Sequence, residues 1–115
     1  MSQEKLTYVD FETMERFMAE VLVKSCVPEA DAKICAEVLI TADKLGIDSH
    51  GFNRLKPIYY DRIKDGILNP VTQFEVVRES PATAVVDGHN GMGHVIAKRS
   101  MQIAIDKARM FGMGM

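Results

Sequence analysis

The sequence has only two cysteines, and none of its apolar runs is long enough to cross a membrane. Cys26 and Cys35 form neither a CxxC pair nor a disulfide framework, which argues against a small disulfide-stabilised domain. We therefore expect two buried thiols in a reducing compartment. Residues 1–15 are too charged for a signal peptide. Together these absences predict a cytoplasmic protein with no membrane partner.

An excess of one charge is also missing. The chain carries 14 Lys and Arg against 16 Asp and Glu, and its formal net charge is −2. The two signs are interspersed, which excludes the basic face of a nucleic-acid-binding protein. With 115 residues, 47% apolar and 26% charged, the chain has the size and composition of one globular domain at most.

The first third of the chain has the apolar spacing of two helices. Residues 11–24 repeat apolar side chains every three to four positions, and Asp10 is a candidate N-cap. Pro28 suits the first position of a second helix, which Gly46 would end. A short link favours an antiparallel hairpin over residues 10–46. The two apolar faces are Met14, Phe17, Met18, Val21 and Leu22, and then Ile34, Cys35, Val38, Leu39, Ala42 and Leu45.

Three further segments follow the hairpin. Residues 47–66 read as a turn and a third helix, from about Phe52 to Asp65. Residues 73–87 read as two short antiparallel strands, 73–79 and 83–86, whose apolar face needs a covering helix. Residues 93–111 read as a last helix with Ile96, Ile103, Ala104 and Ala108 toward the core. The order ααα-ββ-α predicts an α+β fold and lacks the alternation of a Rossmann domain.

Residues 46–57 contain the candidate active site. His50 has the side chain whose ordinary pKa lies nearest neutral pH, so it can give and take protons there. Ser49 could hydrogen-bond one of its ring nitrogens, and Arg54 offers a planar fork for a carboxylate. From the residues alone a structural alternative stays open, in which His50 caps a helix or fills the core and Arg54 is a surface charge.

The glycines and the other histidines favour structural roles. Gly91-x-Gly93 precedes a helix, but a dinucleotide fingerprint would need glycine or alanine at Ile96, so a tight turn explains them better. His89 is expected to be solvated and His94 to make a local contact. Metal-ligand spacing is absent, and we predict no metal site.

The segment around His50 resembles the signature of the malate/L-lactate dehydrogenase family, whose members bind their cofactor without a Rossmann sheet. Three other segments match the family in the same order, so the resemblance covers essentially all 115 residues. The signature reads Ala42-Asp-Lys-Leu-Gly-Ile-Asp-Ser-His-Gly-Phe-Asn-Arg-Leu55, and the others are 27–32, 66–70 and 87–93 continuing to Ser100, Met101 and Ala104.

The resemblance implies an NAD- or NADP-dependent oxidoreductase that interconverts small 2-hydroxy and 2-oxo acids and forms a homodimer. It implies His50 as proton donor or acceptor, Ser49 as its relay partner and Arg54 as the substrate-carboxylate contact. Family members are about three times as long. Another family histidine, a relay aspartate and most cofactor contacts would then lie beyond Met115.

We therefore expect residues 1–115 to be the N-terminal segment of a larger dehydrogenase, inactive alone. The apolar ending Phe111-Gly-Met-Gly-Met115, which looks like the entry to a strand, favours this interpretation. Two alternatives remain. The same scaffold could reduce cyclic imino acids, or the chain could be a non-enzymatic helical interaction module whose eight methionines give an adaptable apolar surface.

Overall fold

The computed structural model describes residues 5–115 and has the element order that the sequence predicts. Four α-helices and one antiparallel strand pair make an α+β arrangement, in which the region before the third helix is irregular. The elements are α1 (Phe11–Lys24), α2 (Glu29–Lys44), 3₁₀ turns at Asp48–His50 and Phe52–Arg54, a π-helical turn at Leu55–Tyr60, α3 (Asp61–Lys64), β1 (Glu75–Glu79), β2 (Ala84–Asp87) and α4 (Gly93–Phe111).

Helix α1 begins and ends as its sequence dictates. Asp10 is the N-cap, and its side chain accepts the backbone N–H of Thr13 at 2.9 Å. At the other end Val27 N–H donates to Leu22 C=O and Cys26 N–H to Val23 C=O, the paired bonds of a Schellman motif. The predicted N-cap at Asp10 is confirmed, and the Schellman motif at the other end turns the chain toward α2.

The prediction that both thiols are buried is wrong for Cys26. This residue occupies the left-handed position of the Schellman motif, with φ 72°, and its side chain is exposed. Val27, the next residue, is buried in its place, as expected for the hydrophobic position of that motif. Cys35 is buried as predicted, and burial raises the pKa of its thiol to about 12, with the nearby Asp31 adding to the effect.

The core lies mainly between α1 and α2. Pro28 is the N-cap of α2 rather than its first residue, and α2 ends in a second Schellman motif around Gly46, where φ is 79°. Two members of the predicted stripe are exposed: Val38 lies at the surface beside α4, and Leu45 lies past the last helical residue. Ala32, Ala36 and Ile40 of α2, which the predicted stripe did not include, are buried. The whole buried apolar set is Met18, Leu22, Val27, Ala32, Cys35, Ala36, Leu39, Ile40, Leu55, Met92 and Val95.

The third helix is not the continuous α-helix that the periodicity predicts. Residues 52–60 form a 3₁₀ turn and then a π-helical turn, and α-helical bonding is limited to α3. Pro57 lies inside this stretch; it has no N–H to donate, and its ring would collide with the carbonyl four residues earlier in an α-helix. The apolar face nevertheless points inward, with Leu55 buried and Ile58, Tyr59 and Ile63 half-buried.

The strand pair lies at the edge of the molecule. β1 and β2 are antiparallel, with an irregularity in register between Val76 and Arg78. All of β1 is exposed, and only alternate residues of β2 are half-buried against α4. The predicted covering of the strand pair by a helix is therefore only partial. Met115 exchanges backbone hydrogen bonds with Ala82 and Ala84, at 2.9 and 2.8 Å, and so lies beside β2.

Helix α4 packs against α2. Val95 is its one fully buried residue, while the predicted core residues Ile96, Ile103, Ala104 and Ala108 are half-buried. Arg99 reaches Asp31 of α2 at 3.5 Å, and that aspartate is the buried charged residue among residues 5–115. Over the same residues, no helix combines the length and the apolar character needed to span a membrane.

Replacing Leu39 by alanine should destabilise the full-length protein by about 2–5 kcal/mol, because a fully buried leucine leaves both lost contacts and a cavity. Val38→Ala is the matched control: Val38 is adjacent in sequence but 42% exposed, against 1% for Leu39. Denaturant unfolding of the two variants checks this. Equal losses would contradict the placement of the core on this face of α2.

Candidate active site

The turn after α2 brings together the three residues that the sequence singles out. The Schellman motif at Gly46 reverses the chain, and two 3₁₀ turns follow, Asp48–His50 and Phe52–Arg54. Gly51 joins them. Ser49 and His50 are exposed at the end of the first turn, and Arg54 is half-buried at the end of the second. The predicted site residues therefore form one cluster at the surface.

Short polar contacts connect these side chains. Ser49 Oγ lies 2.8 Å from His50 Nδ1. Arg54 donates its Nε–H to the backbone carbonyl of Ser49 at 2.8 Å, and a terminal guanidinium nitrogen lies 3.4 Å from His50 Nε2. Because a guanidinium can only donate, the contact requires Nε2 to accept, which leaves Nδ1 to donate to Ser49. This geometry orients a basic nitrogen of His50 toward the guanidinium of Arg54.

The arrangement can bind an anion and move a proton beside it. Arg54 uses its Nε–H on Ser49 and keeps guanidinium N–H groups for a ligand, and among residues 5–115 it forms no ion pair. A carboxylate held there would lie next to His50 Nε2. The structure contradicts the alternative in which His50 fills the core, because the side chain of His50 is exposed.

The sequence reading missed one residue of this region, Asp43. Its carboxylate accepts the backbone N–H of Phe52 at 2.9 Å, across the turn from α2. It also fills the space beside Gly51, where an added Cβ would overlap the carboxylate. The sequence does contain an indication that Asp43 has a special role, since an acidic residue in the last turn of a helix is unfavourable next to the negative end of the helix dipole.

Tyr59 and His94 form a second polar pair near the site. The Tyr59 hydroxyl lies 3.0 Å from His94 Nε2, and the residues are 35 positions apart, so the prediction of a local contact for His94 is wrong. Burial lowers the pKa of His94 and raises the pKa of Tyr59, a rise that Arg54 opposes. Both side chains are therefore neutral near pH 7. His94 Nδ1 is buried and has no hydrogen-bond partner among residues 5–115.

The glycine loop before α4 is a tight turn, as predicted. Gly91 N–H donates to Gly88 C=O at 2.9 Å, and the residues between them, His89 and Asn90, both have positive φ, which makes a type I′ turn. Next to it, Met92 N–H donates to Thr72 Oγ1 at 2.9 Å. The loop is thus closed by its own contacts, and it does not fit a dinucleotide phosphate as a Rossmann loop does.

An apolar groove of about 500 Å³ lies between α1 and the segment that carries the site. Phe17 and Val21 form one wall. Phe52, Leu55 and Tyr60 form the other wall, so residues on both sides of Arg54 line the groove. The groove offers apolar contact and is suited to packing rather than to proton transfer.

One cluster of potential metal ligands occurs among the described residues. Atoms of Glu75, Asp87 and His89 lie within 4.8 Å of one another, and all three residues are exposed. His89 is indeed exposed, but its Nε2 lies 2.6 Å from Glu75, which makes an ion pair when the ring is protonated. This pairing accounts for the cluster, and the absence of a metal site stays a prediction.

Several known proteins are similar to most of this chain. The chain is 46% identical over 103 residues to L-sulfolactate dehydrogenase of Methanocaldococcus jannaschii, covering 90% of the chain and 30% of the relative. It is 47% identical over 98 residues to malate dehydrogenase of Pyrococcus horikoshii, covering 85% and 27%. The crystal structure of malate dehydrogenase from Entamoeba histolytica superposes with a TM-score of 0.92 at 42% identity, covering 96% of the chain and 30% of that structure.

The chain thus spans about a third of the length of these relatives. The match to the Entamoeba structure confirms the α+β, non-Rossmann fold that the resemblance implied. The sequence model described as malate/L-lactate dehydrogenase matches residues 9–115. Since that match covers nearly every residue, the chain belongs to the malate/L-lactate dehydrogenase family.

Proposed function

We propose that this chain is the substrate-binding N-terminal segment of an oxidoreductase that interconverts a small 2-hydroxy acid and the corresponding 2-oxo acid. The observation that carries the proposal is the contact of 3.4 Å between Arg54 and His50 Nε2. It joins a carboxylate-binding group to a proton-transfer group at the surface. Relatives named as malate and sulfolactate dehydrogenases, both of which act on 2-hydroxy acids, support this substrate class.

Arg54 is proposed to hold the substrate carboxylate. A guanidinium presents parallel N–H groups that match the two oxygens of a carboxylate, and such charge-assisted bonds are stronger than neutral ones. The bond from Arg54 Nε to the Ser49 carbonyl fixes the plane of the fork before a substrate arrives. A preoriented group loses less freedom on binding, which favours affinity.

His50 is proposed to exchange the proton of the C2 oxygen. In a 2-hydroxy acid the hydroxyl and carboxylate are on adjacent carbons, so a carboxylate on Arg54 brings the hydroxyl beside Nε2. During oxidation Nε2 takes the hydroxyl proton while the C2 hydrogen leaves as hydride; during reduction the ring returns the proton to the oxygen. Ser49 at 2.8 Å from Nδ1 orients the ring and can relay its proton.

The hydride partner is proposed to be NAD or NADP, which accepts or supplies the hydride at C2 when bound. The glycine loop before α4 does not offer a Rossmann-type phosphate site, because it is closed on Gly88 and Thr72. In this proposal most of the cofactor contacts come from outside residues 1–115, so the segment alone is inactive. The cytoplasmic location and the homodimer also stay proposals, and exposed apolar residues of α1 such as Phe11 and Phe17 are available for subunit contacts.

The proposal is tested by following oxidation of NADH and NADPH by the full-length protein that contains this chain. The 2-oxo acids are oxaloacetate, pyruvate and sulfopyruvate, and a cyclic imino acid tests the reductase alternative. We expect turnover with at least one 2-oxo acid, and loss of that turnover in the isolated 115-residue segment. No turnover with any 2-oxo acid would overturn the proposal, and turnover with the cyclic imine alone would favour the alternative.

A further inference from the structure

Asp43 occupies a position that the helix itself disfavours. It lies in the last turn of α2, where the partial negative charge of the helix dipole repels a carboxylate. Among residues 5–115, no ion pair to Asp43 offsets this repulsion. A residue that breaks a local rule without a local compensation points to a contact elsewhere in the fold.

That contact is with the junction of the two 3₁₀ turns. The carboxylate of Asp43 is half-buried and accepts Phe52 N–H at 2.9 Å. It also lies against Gly51, where any side chain would overlap it. The close approach of Asp43 favours glycine at this position, because an added side chain would displace the carboxylate. Two neighbouring residues of the junction are thus held by one side chain.

The junction determines where His50 lies relative to Arg54. His50 precedes Gly51 directly, and Arg54 N–H donates to Gly51 C=O at 2.9 Å, so both depend on the position of this residue. The contact between their side chains is long, 3.4 Å, and exposed, and such contacts contribute little by themselves. Ser49 holds both side chains within the segment, through its carbonyl to Arg54 and its hydroxyl to His50. Asp43 ties the backbone of this segment to α2.

We propose that Asp43 is a positioning residue of the substrate site, which aligns Arg54 and His50 by holding Phe52 and Gly51. The inference rests on the proposed function, since it concerns the same substrate carboxylate. Asp43 itself does not touch the substrate; it acts through Arg54 and His50.

The test measures kcat and KM for the 2-oxo acid that the full-length protein turns over. Asp43→Ala is expected to lower kcat/KM by roughly 10–100-fold, mainly through KM, since an ångström of misplacement can cost about 100-fold. Asp43→Asn keeps an acceptor oxygen for Phe52 N–H and should lose less. The matched control is Asp65→Ala: Asp65 is exposed at the end of α3, its side chain accepts no hydrogen bond among the described residues, and its loss should leave kcat/KM unchanged.

A double-mutant cycle separates positioning from general destabilisation. If Asp43 acts through Arg54, Asp43→Ala should reduce kcat/KM by clearly less in the Arg54→Ala background than in the wild-type protein, and the remaining loss reports its effect through His50. Losses that multiply fully in the double variant would overturn the proposal. If Asp43→Ala fails to fold, Asp43→Asn carries the same cycle, and its loss must also be smaller in the Arg54→Ala background than in the wild-type protein.

Different results would overturn the proposed function and the positioning role of Asp43. Wild-type kinetics in both Arg54→Ala and His50→Ala would overturn the proposed roles in the site, and the positioning role with them. Strong losses in those two variants, together with Asp43→Ala behaving like Asp65→Ala, would overturn the positioning role alone.

Discussion

Replacing His50 by alanine in the full-length protein should lower kcat for 2-oxo acid reduction by about 10²–10⁴-fold, the usual contribution of a general acid or base. The ring nitrogen Nε2 faces Arg54, where the substrate carboxylate is proposed to bind, so its loss leaves the C2 oxygen without a proton donor. The fold should be kept, because His50 is exposed and contributes nothing to the core. Steady-state kinetics and thermal unfolding of the same sample check both statements.

The matched control for His50 is His89→Ala. His89 is also exposed, but it lies at the end of the strand pair and is bound to Glu75 rather than to Arg54. We expect its kinetics to resemble wild type. Ser49→Ala should give an intermediate loss of kcat, because Ser49 orients the ring through Nδ1 without meeting the C2 oxygen. Wild-type kcat in His50→Ala would remove this residue from the proposed chemistry.

Replacing Arg54 should mainly weaken substrate capture. Two charge-assisted hydrogen bonds to a carboxylate are together worth about 3–6 kcal/mol, so Arg54→Ala should lower kcat/KM by roughly 10²–10⁴-fold. Arg54→Lys keeps the charge but not the fork or the planar contact to the Ser49 carbonyl, and should recover only a small part. A rise in KM larger than the fall in kcat is the expected signature.

Arg62→Ala is the control for Arg54. Arg62 is an exposed cation eight positions later, and its side chain makes no ion pair among residues 5–115. Its removal changes the charge near the site without touching the fork. An unchanged KM in Arg54→Lys, or equal effects of the Arg54 and Arg62 variants, would show that a fork at Arg54 is not what binds the carboxylate.

Local patterns predicted the regular elements and their ends. The apolar period of residues 11–24, the Asp10 cap and the glycine stop at Gly46 all act within a few residues, and the structure has each of them. The same reasoning failed at residues 52–60, where apolar spacing suggested a helix but Pro57 prevents regular α-helical bonding. It failed again at Cys26, where a capping motif reverses the direction of the side chain.

The candidate site was predictable only in its sequence-local part. Ser49, His50 and Arg54 lie within six residues, so two adjacent turns bring them close together by local contacts. The hydrogen bonds between Phe52 and Asp43 and between Tyr59 and His94 join different secondary-structure elements, and no sequence periodicity indicates them. Such contacts depend on how the turn packs against α2 and α4, which becomes visible only in three dimensions.

In the proposed site, Arg54 and His50 together hold a 2-oxo or 2-hydroxy acid. A crystal structure of the full-length protein with oxamate, an unreactive analogue of a 2-oxo acid, tests this arrangement. We expect the oxamate carboxylate to contact the Arg54 guanidinium and its neighbouring carbonyl oxygen to lie within hydrogen-bond reach, about 2.6–3.2 Å, of His50 Nε2. Oxamate bound elsewhere, with Arg54 still facing His50, would contradict the proposed site.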